Sequence, residues 1–351
     1  MNDFLIKKHK VGLSCKALVI AEIAQAHDGS LGTAHAYIDA IADAGADAVK
    51  FQTHIAAAES TPSEPWRVKF SRQDTTRYEY WQRMEFTQEQ WAGLYQHAVD
   101  RDLIFISSPF SIQAVDLLRQ TGIDAWKIAS GEVGNTVLLQ NIAKTGLPVL
   151  ISSGMSPVSE TDGAVKFLQN RNVPFAVFQC SSFYPCPPEK TGLNMLSFFQ
   201  DRYQCPVGLS DHSGTVYPSF AAVSLGVQML EVHVTFSRQM FGPDVASSVT
   251  MDEFKHLVEG VRFIEAMKDN PVDKESMAQE LQPMRELFTK SIVATGELES
   301  GTILEARHLT VKKPGTGFAP EKLPELIGSR LVKNVKKDQI IIDEDIEWNI
   351  R

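Results

Sequence analysis

The stretch from Val207 to Val234 contains two short apolar runs that each end in hydrophilic side chains. The first run ends in Leu209-Ser210-Asp211-His212, and the second reads Met229-Leu230-Glu231-Val232-His233. A segment about as long as a helix, 218–226, separates them, which predicts a strand–helix–strand unit. Parallel strands joined in this way have their carboxyl ends on the same side, so the two histidines are expected side by side.

Two imidazoles beside carboxylates suit a borderline divalent metal. On this pair alone, two hydrogen-bonded structural histidines at strand ends are the simpler interpretation, because no dense HExxH motif is present. The rest of the chain has to decide between the two interpretations.

Composition limits the classes of protein that the sequence can encode. The chain has 351 residues, 43% of them hydrophobic, which is enough for one large domain and a smaller one. Its net charge of −9 argues against a nucleic-acid or membrane partner but allows an anionic small substrate. The four cysteines lack the spacing of a disulfide framework or zinc ribbon and are interpreted as reduced thiols. Without a signal-peptide or membrane-length apolar run, a cytoplasmic protein is expected.

Six further apolar segments resemble the opening pair and alternate with helical patterns. They are 17–22, 47–52, 103–106, 125–128, 148–151 and 175–179. Eight such strands alternating with helices predict an α/β fold, a (β/α)8 TIM barrel. Residues 53–86 form the longest irregular segment and are expected to be a functional loop.

Polar side chains follow each predicted strand at the point where it ends. They include four charged residues: Glu22, Lys50, Lys127 and Glu231. A buried charge without a partner is costly, so four in register indicate an active site at the carboxyl end of the barrel.

The residue types at these strand ends indicate the chemistry. The two lysines, with serine hydroxyls nearby, suit a phosphate or a carboxylate. These serines are Ser130, Ser152, Ser153, Ser182 and Ser210. His212 and His233 could hold a metal that polarises a carbonyl, and Glu22 and Glu231 could transfer protons. Together these features suggest aldol-type carbon–carbon bond formation.

Eight motifs, in order and over nearly the whole chain, resemble those of the bacterial sialic acid synthases, which are phosphoenolpyruvate-dependent nonulosonate synthases. The motifs are Ala21-Glu-Ile23, Gly45-Ala-Asp-Ala-Val-Lys-Phe-Gln52, Ser107-Ser-Pro-Phe-Ser111, Lys127-Ile-Ala-Ser-Gly-Glu132, Ser152-Ser-Gly-Met155, Tyr184-Pro185, Gly208-Leu-Ser-Asp-His212 and Glu231-Val-His233. The resemblance implies condensation of phosphoenolpyruvate with the open-chain aldehyde of an N-acylated hexosamine such as N-acetylmannosamine. Water adds, phosphate leaves by C–O cleavage, and a nine-carbon 2-keto acid results.

The resemblance also implies a role for each site residue. His212 and His233 would ligate a divalent metal, typically Mn²⁺, with Mg²⁺ or Co²⁺ possible. Glu22, Glu231, Lys50 and Lys127 would be catalytic. The residues expected to bind phosphoenolpyruvate are Lys50, Ser108, Lys127, Ser130, Ser152, Ser182 and Ser210. Those expected to contact the sugar are Gln52, Tyr184, Asp244 and Lys313.

The chain departs from the family pattern at three places. It has Ala26-His27-Asp28-Gly29 where many members have Asn-His-Asn-Gly, and Ser182 where an asparagine is usual. These differences leave a diacetamido-trideoxyhexose open as the substrate. The third departure lies in the tail, where Lys313 replaces the arginine of an Arg-Pro-Gly element; lysine offers a point charge where arginine offers a planar fork.

The tail consists of short β-type runs separated by turns with glycine or proline, and it resembles the SAF, or antifreeze-like, domain of these synthases. The predicted division is a barrel at 1–270, a linker at 271–289 and the SAF domain at 290–351. By the resemblance, the tail reaches the barrel of a second subunit in a domain-swapped homodimer.

Two alternatives stay open from sequence. One is a related synthase that acts on a phosphorylated aldose, since the 53–86 segment contains several arginines and a lysine. These are Arg67, Lys69, Arg72, Arg77 and Arg83, and a solvated face is the preferred interpretation of them. The other alternative is a non-enzymatic carbohydrate-binding protein.

Overall fold

A computed structural model describes residues 3–348 of the chain. The chain divides into two compact units, Met1–Asp269 and Asn270–Arg351. The segment predicted as a linker, 271–289, falls within the second unit. None of the helices in the described residues has both the length and the apolar character needed to cross a membrane.

An antiparallel hairpin, β1 (Phe4–Ile6) and β2 (His9–Val11), precedes the first predicted strand and was not predicted. Its buried side chains pack against Leu18 and Met229, which begin the first and last strands of the barrel. The hairpin therefore covers the amino-terminal end of the barrel.

Eight parallel strands form the predicted barrel, which is closed because the last strand pairs with both the first and the seventh. The strands are β3 (Leu18–Ala24), β4 (Ala48–Thr53), β5 (Ile104–Pro109), β6 (Ala125–Ile128), β7 (Val149–Ser152), β8 (Phe175–Cys180), β9 (Val207–Asp211) and β10 (Met229–Thr235). All eight strand predictions are confirmed. A two-residue strand, β11 (Val249–Thr250), pairs with the end of β10.

Helices connect the strands on the outside of the barrel. They are α1 (Leu31–Asp43), α2 (Ala56–Glu59), α3 (Arg77–Met84), α4 (Gln88–Asp100), α5 (Ile112–Thr121), α6 (Thr136–Ala143), α7 (Val158–Gln169), α8 (Asn194–Tyr203), α9 (Tyr217–Ser224) and α10 (Met251–Asp269). The helix α8 was not predicted, and α2 and α3 interrupt the segment that was expected to be irregular.

Helix starts follow local hydrogen-bonding rules. Thr87 followed by Gln90 three residues later predicts a capping box for α4, and this is confirmed: Thr87 Oγ1 accepts from the Gln90 backbone, and the Gln90 side chain accepts from the Thr87 backbone. From sequence, Asp252 is the expected cap of α10, and this expectation is wrong. Asp252 lies in the first turn, and Thr250 Oγ1 accepts the bond from the Glu253 backbone instead.

Successive side chains of a strand point to opposite faces, so each strand contributes residues to two apolar layers. Residues such as Val19, Phe51 and Trp126 face the helices and join the largest core. Ile20 and Leu150 face the barrel axis near its amino-terminal end. The axis-facing positions nearer the carboxyl end are therefore the ones left for polar side chains.

The second unit has its own apolar core, which includes Ile292, Leu304 and Leu331. Its elements are α11 (Lys274–Glu280), α12 (Gln282–Phe288), β12 (Ser291–Ala294), β13 (Leu309–Lys312), α13 (Leu323–Leu326), β14 (Arg330–Leu331) and β15 (Ile346–Glu347). Strands β12 and β13 pair antiparallel, as do β14 and β15. The runs predicted as strands at 302–304 and 339–342 form only isolated bridges, through Ile303 and Ile340.

Candidate active site

The charged residues predicted from strand ends lie inside the barrel. Side chains two residues apart on a strand share a face, so Glu22 follows Ile20 on the axis side and Glu231 follows Met229. His233 is the next position on that face of β10. The interior of the barrel therefore changes from apolar to polar toward its carboxyl end.

Two ion pairs joined end to end form the centre of this polar region. Lys50 Nζ lies 2.6 Å from Glu22 Oε2 and 3.8 Å from Glu231 Oε1. Lys127 Nζ lies 2.7 Å from both carboxylate oxygens of Glu231 and donates to Ser210 Oγ at 3.1 Å. None of the five residues is more than 4% exposed. Buried charges are tolerated when they are paired, and this cluster is balanced with two lysines and two glutamates.

The two carboxyl groups of the cluster have different pKa values. Burial raises the pKa of Glu22 above its usual range, and Lys50 offsets only part of that effect. Burial acts on Glu231 as well, but the ammonium groups of Lys127 and Lys50 outweigh it and lower the pKa of Glu231 to about 2. Carboxyl groups whose pKa values are pushed apart in this way are typical of acid–base sites.

A cavity of about 420 Å³ adjoins the charged cluster at the carboxyl end of the barrel. Gln52 connects the two, because it lines the cavity and its Nε2 donates to Glu22 Oε1 at 2.9 Å. The predicted site residues that line the cavity are Gln52, Ser130, Ser182, Tyr184, His233 and Asp244. A cavity of this size with a polar lining suits a small-molecule ligand.

The predicted serines surround the same region. Ser130 and Ser182 meet at Gly154, where an added Cβ would lie 1.9 Å and 2.8 Å from their respective Oγ atoms. Ser182 Oγ is buried and has no hydrogen-bond partner among residues 3–348. Such an unpaired hydroxyl is unfavourable unless a ligand satisfies it. Ser108 and Ser152 are buried at the ends of β5 and β7, outside the cavity lining.

His212 and His233 lie together, with ring centroids 5.1 Å apart. His212 Nδ1 is 2.9 Å from the carbonyl oxygen of Ser181, so Nδ1 donates its hydrogen and Nε2 is the nitrogen left to bind a metal when the ring is neutral. Burial lowers the pKa of His233 to about 3, which keeps that imidazole neutral. Within residues 3–348, no group of three or more His, Cys, Asp or Glu could hold a metal. Two imidazoles can still hold a divalent metal whose other ligands are substrate and water.

Arg67 is a site residue that the sequence interpretation missed. Its Nη2 lies 2.6 Å from Asp244 Oδ1, and its Cζ lies 4.6 Å from the centroid of the Tyr184 ring. Tyr184 in turn stacks on His212 at 4.2 Å. The arginine-rich segment is therefore not simply a solvated face. Arg77 also lines the cavity, and Arg83 pairs with acidic residues.

His54 is a second residue that was assigned wrongly. From sequence, a histidine at this position is expected at the surface, but His54 is 5% exposed and lines the cavity. From sequence, His27 could equally be a site residue or part of a turn at Asp28-Gly29; it is buried, and its Nδ1 accepts from the backbone of Gly29 in that turn. Glu132, which from sequence could either line the site or brace it, lines the cavity. The sequence signal that could have identified His54 is its position directly after the polar carboxyl end of β4.

Lys313 belongs to the second unit. It follows β13, and its Nζ lies 5.0 Å from the centroid of the Phe288 ring. Its contact with a sugar stays a prediction.

Comparison with known proteins adds a separate line of evidence. The sequence profile of the NeuB family matches residues 37–273, and that of the SAF domain matches residues 289–347. The N,N'-diacetyllegionaminic acid synthase of Campylobacter jejuni is 31% identical over 334 residues, which cover 93% of this chain and 99% of the relative. The N-acetylneuraminate-9-phosphate synthase of Homo sapiens is 32% identical, with 96% of this chain and 94% of the relative covered.

A solved structure shows the same similarity. The crystal structure of the N-acetylneuraminic acid synthetase of Leptospira borgpetersenii matches with a TM-score of 0.71 at 26% identity. The match covers 81% of this chain and 96% of that structure. The similarity in fold therefore extends over most of the chain.

Proposed function

Because the chain belongs to the NeuB family, we propose that it is a nonulosonate synthase acting on an unphosphorylated N-acylated hexosamine. It joins phosphoenolpyruvate to the open-chain aldehyde of a sugar such as N-acetylmannosamine, consumes water and releases phosphate. The observation that carries this proposal is the buried, charge-balanced lysine–glutamate cluster beside a cavity large enough for a sugar. A protein that only bound carbohydrate would have no need to bury four charges, which are unfavourable to desolvate.

The buried lysines are proposed to bind the phosphate and carboxylate of phosphoenolpyruvate. Lys50 and Lys127 are the cations of the cluster, and anionic oxygens would form charge-assisted hydrogen bonds with them. Serine hydroxyls are proposed to complete the site: Ser108, Ser130, Ser152, Ser182 and Ser210. The buried, unpaired hydroxyl of Ser182 and the bond between Ser210 and Lys127 support this assignment.

The proposed reaction forms one carbon–carbon bond and breaks one carbon–oxygen bond. C3 of phosphoenolpyruvate attacks the aldehyde carbon, and the aldehyde oxygen gains a proton. Water then adds to C2 and loses one proton. The new hydroxyl group loses its own proton as the C–O bond to phosphate breaks, which leaves a keto group at C2 and a phosphate that takes up that proton. Glu22 and Glu231 are the carboxyl groups proposed to move these protons, since both lie in the cluster where the two substrates would meet.

His212 and His233 are proposed to hold a divalent metal, Mn²⁺ in the first instance, with Mg²⁺ or Co²⁺ as alternatives. A metal at this place would act as a Lewis acid on the sugar aldehyde. The donor chemistry fits, because the bond from His212 Nδ1 to Ser181 fixes the ring and leaves Nε2 as the nitrogen that would bind a metal. Stacking of Tyr184 on His212 fixes the ring plane further.

The charges around the cavity favour a neutral sugar over a phosphorylated one. Both arginines that line the cavity are paired, Arg67 with Asp244 at 2.6 Å and Arg77 with Glu64 at 3.2 Å. Glu132 adds a further carboxylate to the lining. A phosphorylated sugar would need guanidinium or ammonium groups that are free to bind phosphate. The sugar contacts are therefore assigned to Gln52, Tyr184 and Asp244.

A panel of sugars tests this function. N-acetylmannosamine, its phosphorylated form and a diacetamido-trideoxyhexose are each mixed with phosphoenolpyruvate and Mn²⁺, and phosphate release and product mass are measured. We expect phosphate release and a condensation product with an unphosphorylated sugar. Turnover of the phosphorylated sugar alone, or of none of the three, would contradict the proposal.

Arg67→Ala is expected to raise the KM for the sugar about tenfold, with little change in kcat. The substitution removes the ion pair that holds Asp244 and the stacking on Tyr184, which together are worth about 1–1.5 kcal/mol. Steady-state kinetics with varied sugar measure the change. Lys69→Ala is the matched control, because Lys69 is exposed on the same segment. An unchanged KM in Arg67→Ala would remove Arg67 from the sugar site.

The second unit is proposed to act across a homodimer. In this arrangement residues 1–270 form the barrel, 271–289 the linker, and 290–351 an SAF domain that brings Lys313 to the partner's sugar. Lys313→Ala is then expected to raise the KM for the sugar about tenfold, as for loss of one charge-assisted hydrogen bond. Lys337→Ala, at an exposed lysine, is the control. A sugar KM in Lys313→Ala equal to that of the unmodified protein would rule this contact out.

A cytoplasmic location is proposed from the cysteines. Cys15, Cys180, Cys186 and Cys205 are all free. Free thiols are the usual state in reducing compartments.

A further inference from the structure

His54 occupies a fixed place in the cavity wall. Its ring is stacked between Trp81 and Phe110, with centroids 4.0 Å and 4.4 Å away and interplanar angles of 15° and 11°. Residue 54 is 5% exposed. The two neighbouring rings fix the plane of the imidazole, so its two nitrogens can reach partners only at its edge.

Both ring nitrogens of His54 face oxygen atoms. Nδ1 lies 2.6 Å from Glu59 Oε1, and the other carboxylate oxygen of Glu59 accepts from the backbone of Ile55 at 3.2 Å. Nε2 lies 3.4 Å from Gln52 Oε1. The opposite end of the same amide, Gln52 Nε2, donates to Glu22 Oε1 at 2.9 Å. A continuous chain of contacts therefore runs from Glu59 through His54 and Gln52 to Glu22.

The direction of these hydrogen bonds is determined at the Glu22 end. Lys50 donates to Glu22 Oε2, and in the ionised carboxylate Oε1 is an acceptor, so the NH₂ group of Gln52 has to face it. The carbonyl oxygen of Gln52 then faces His54, which must present an N–H at Nε2. Glu59 accepts from Nδ1. The His54–Glu59 pair can therefore also carry a hydrogen at Nε2, because the negative charge of the carboxylate balances the positive charge of the ring.

The opposite arrangement would disturb the charged cluster. If Nε2 carried only a lone pair, the Gln52 amide would turn to donate to it. Its carbonyl oxygen would then face the oxygen of Glu22, and two acceptors in contact repel each other. The orientation of a single amide therefore links His54 to a carboxyl group of the proposed reaction.

We propose that His54, together with Glu59, is a positioning residue that holds the Gln52 amide with its NH₂ group toward Glu22. The inference rests on the proposed function, because Glu22 and Gln52 are the groups placed at the two substrates. His54 acts through Gln52 and has no assigned contact with substrate. Misplacing a reacting group by about 1 Å can lower the rate on the order of 100-fold, which is the scale of effect expected.

Three substitutions at His54 test whether the residue positions the Gln52 amide or only fills the space between two aromatic rings. His54→Phe keeps a ring between Trp81 and Phe110 but removes both hydrogen bonds. His54→Asn keeps a donor near the position of Nδ1, and His54→Gln keeps one near the position of Nε2. If His54 only supported the aromatic stack, His54→Phe would be the most active of the three.

The positioning role predicts the reverse order. His54→Phe and His54→Asn are expected to lose kcat about 10- to 100-fold, and His54→Gln is expected to recover about tenfold of that loss. The KM for phosphoenolpyruvate is expected to change little, because the buried lysines are untouched. His256→Phe, at an exposed histidine on α10, is the control. A kcat in His54→Phe equal to or above that in His54→Gln would overturn the proposal.

A second measurement does not depend on turnover. With ¹⁵N-labelled histidine, the resonances of His54 are identified by their loss in His54→Gln, and their shifts report which ring nitrogens carry hydrogen. We expect hydrogen on Nε2 in the unmodified protein and also in Glu59→Gln, where the amide oxygen would keep the bond from Ile55 and the NH₂ group would donate to Nδ1. A bare Nε2 in the unmodified protein would overturn the inference. Absence of turnover with every sugar would instead refute the proposed function, and the spectra would still test the hydrogen-bond arrangement.

Discussion

Lys127→Met is expected to lower kcat/KM about 10³-fold and to destabilise the protein by about 3 kcal/mol. Its ammonium group contacts both oxygens of Glu231 at 2.7 Å and Ser210 Oγ at 3.1 Å, so three buried oxygen atoms lose a partner at once. Removing one member of a buried ion pair leaves an uncompensated charge, which costs about 3–5 kcal/mol. We expect the lower end, because Lys50 remains 3.8 Å from Glu231. The rate falls because a preorganised cation for the substrate anion is gone.

A paired substitution separates the two effects. In Lys127→Met/Glu231→Gln both charges are removed together, so most of the lost free energy of unfolding should return while turnover does not recover. Denaturant titration and phosphate release are the measurements. Lys166→Met, at an exposed lysine on α7, is the control for the loss of a lysine. A double variant with restored turnover, or a Lys127→Met variant of normal activity, would show that the cluster is structural only.

The barrel and its charged cluster could be predicted because both follow from local patterns. Each strand is a short apolar run, and each polar residue stands at a fixed offset from the end of its run. The spacing of Glu231 and His233 on one strand was enough to place both on the axis side. Direct pairing of β3 with β4 brings Lys50 within 2.6 Å of Glu22, and the barrel brings Lys127 on β6 within 2.7 Å of Glu231 on β10, although Lys127 and Glu231 are far apart in sequence.

Arg67 and His54 could not be placed from sequence because their partners are determined by tertiary structure. Arg67 pairs with Asp244 across 177 positions, and neither residue lies in a periodic element that would align them. His54 directly follows β4, but its burial depends on Trp81 from α3, a helix inside the segment expected to be irregular. The composition of residues 53–86 indicated a solvent-exposed segment. In the structure, part of this segment forms the wall of the cavity.

The hairpin at 4–11 and helix α8 were missed for a different reason. Each strand of the hairpin has three residues, which is too short for alternation to be distinguished from chance. The pattern of α8, Asn194–Tyr203, follows a stretch rich in proline and glycine that reads as a loop. Both elements cover parts of the barrel without contributing a proposed site residue. Their omission therefore left the prediction of the site unchanged.

His212→Ala/His233→Ala is expected to abolish Mn²⁺ binding and to lower turnover about 10³-fold or more. A Lewis acid on a carbonyl is worth several kcal/mol, and each 1.36 kcal/mol corresponds to a factor of ten in rate. Removal of His212 also takes away the ring on which Tyr184 stacks at 4.2 Å, so sugar binding should weaken as well. Calorimetric titration with Mn²⁺ measures binding separately from phosphate release.

The single variants distinguish a metal pair from two structural histidines. If both imidazoles are ligands, His212→Ala and His233→Ala should each weaken Mn²⁺ binding strongly. The histidine that remains in each variant should not compensate for the one that was removed. If they are structural, unfolding free energy should fall while Mn²⁺ binding is unaffected. His256→Ala, an exposed histidine, should change neither quantity. Full turnover in the double variant would exclude a role for the pair in the reaction, since the charged cluster beside it would then suffice to activate the aldehyde.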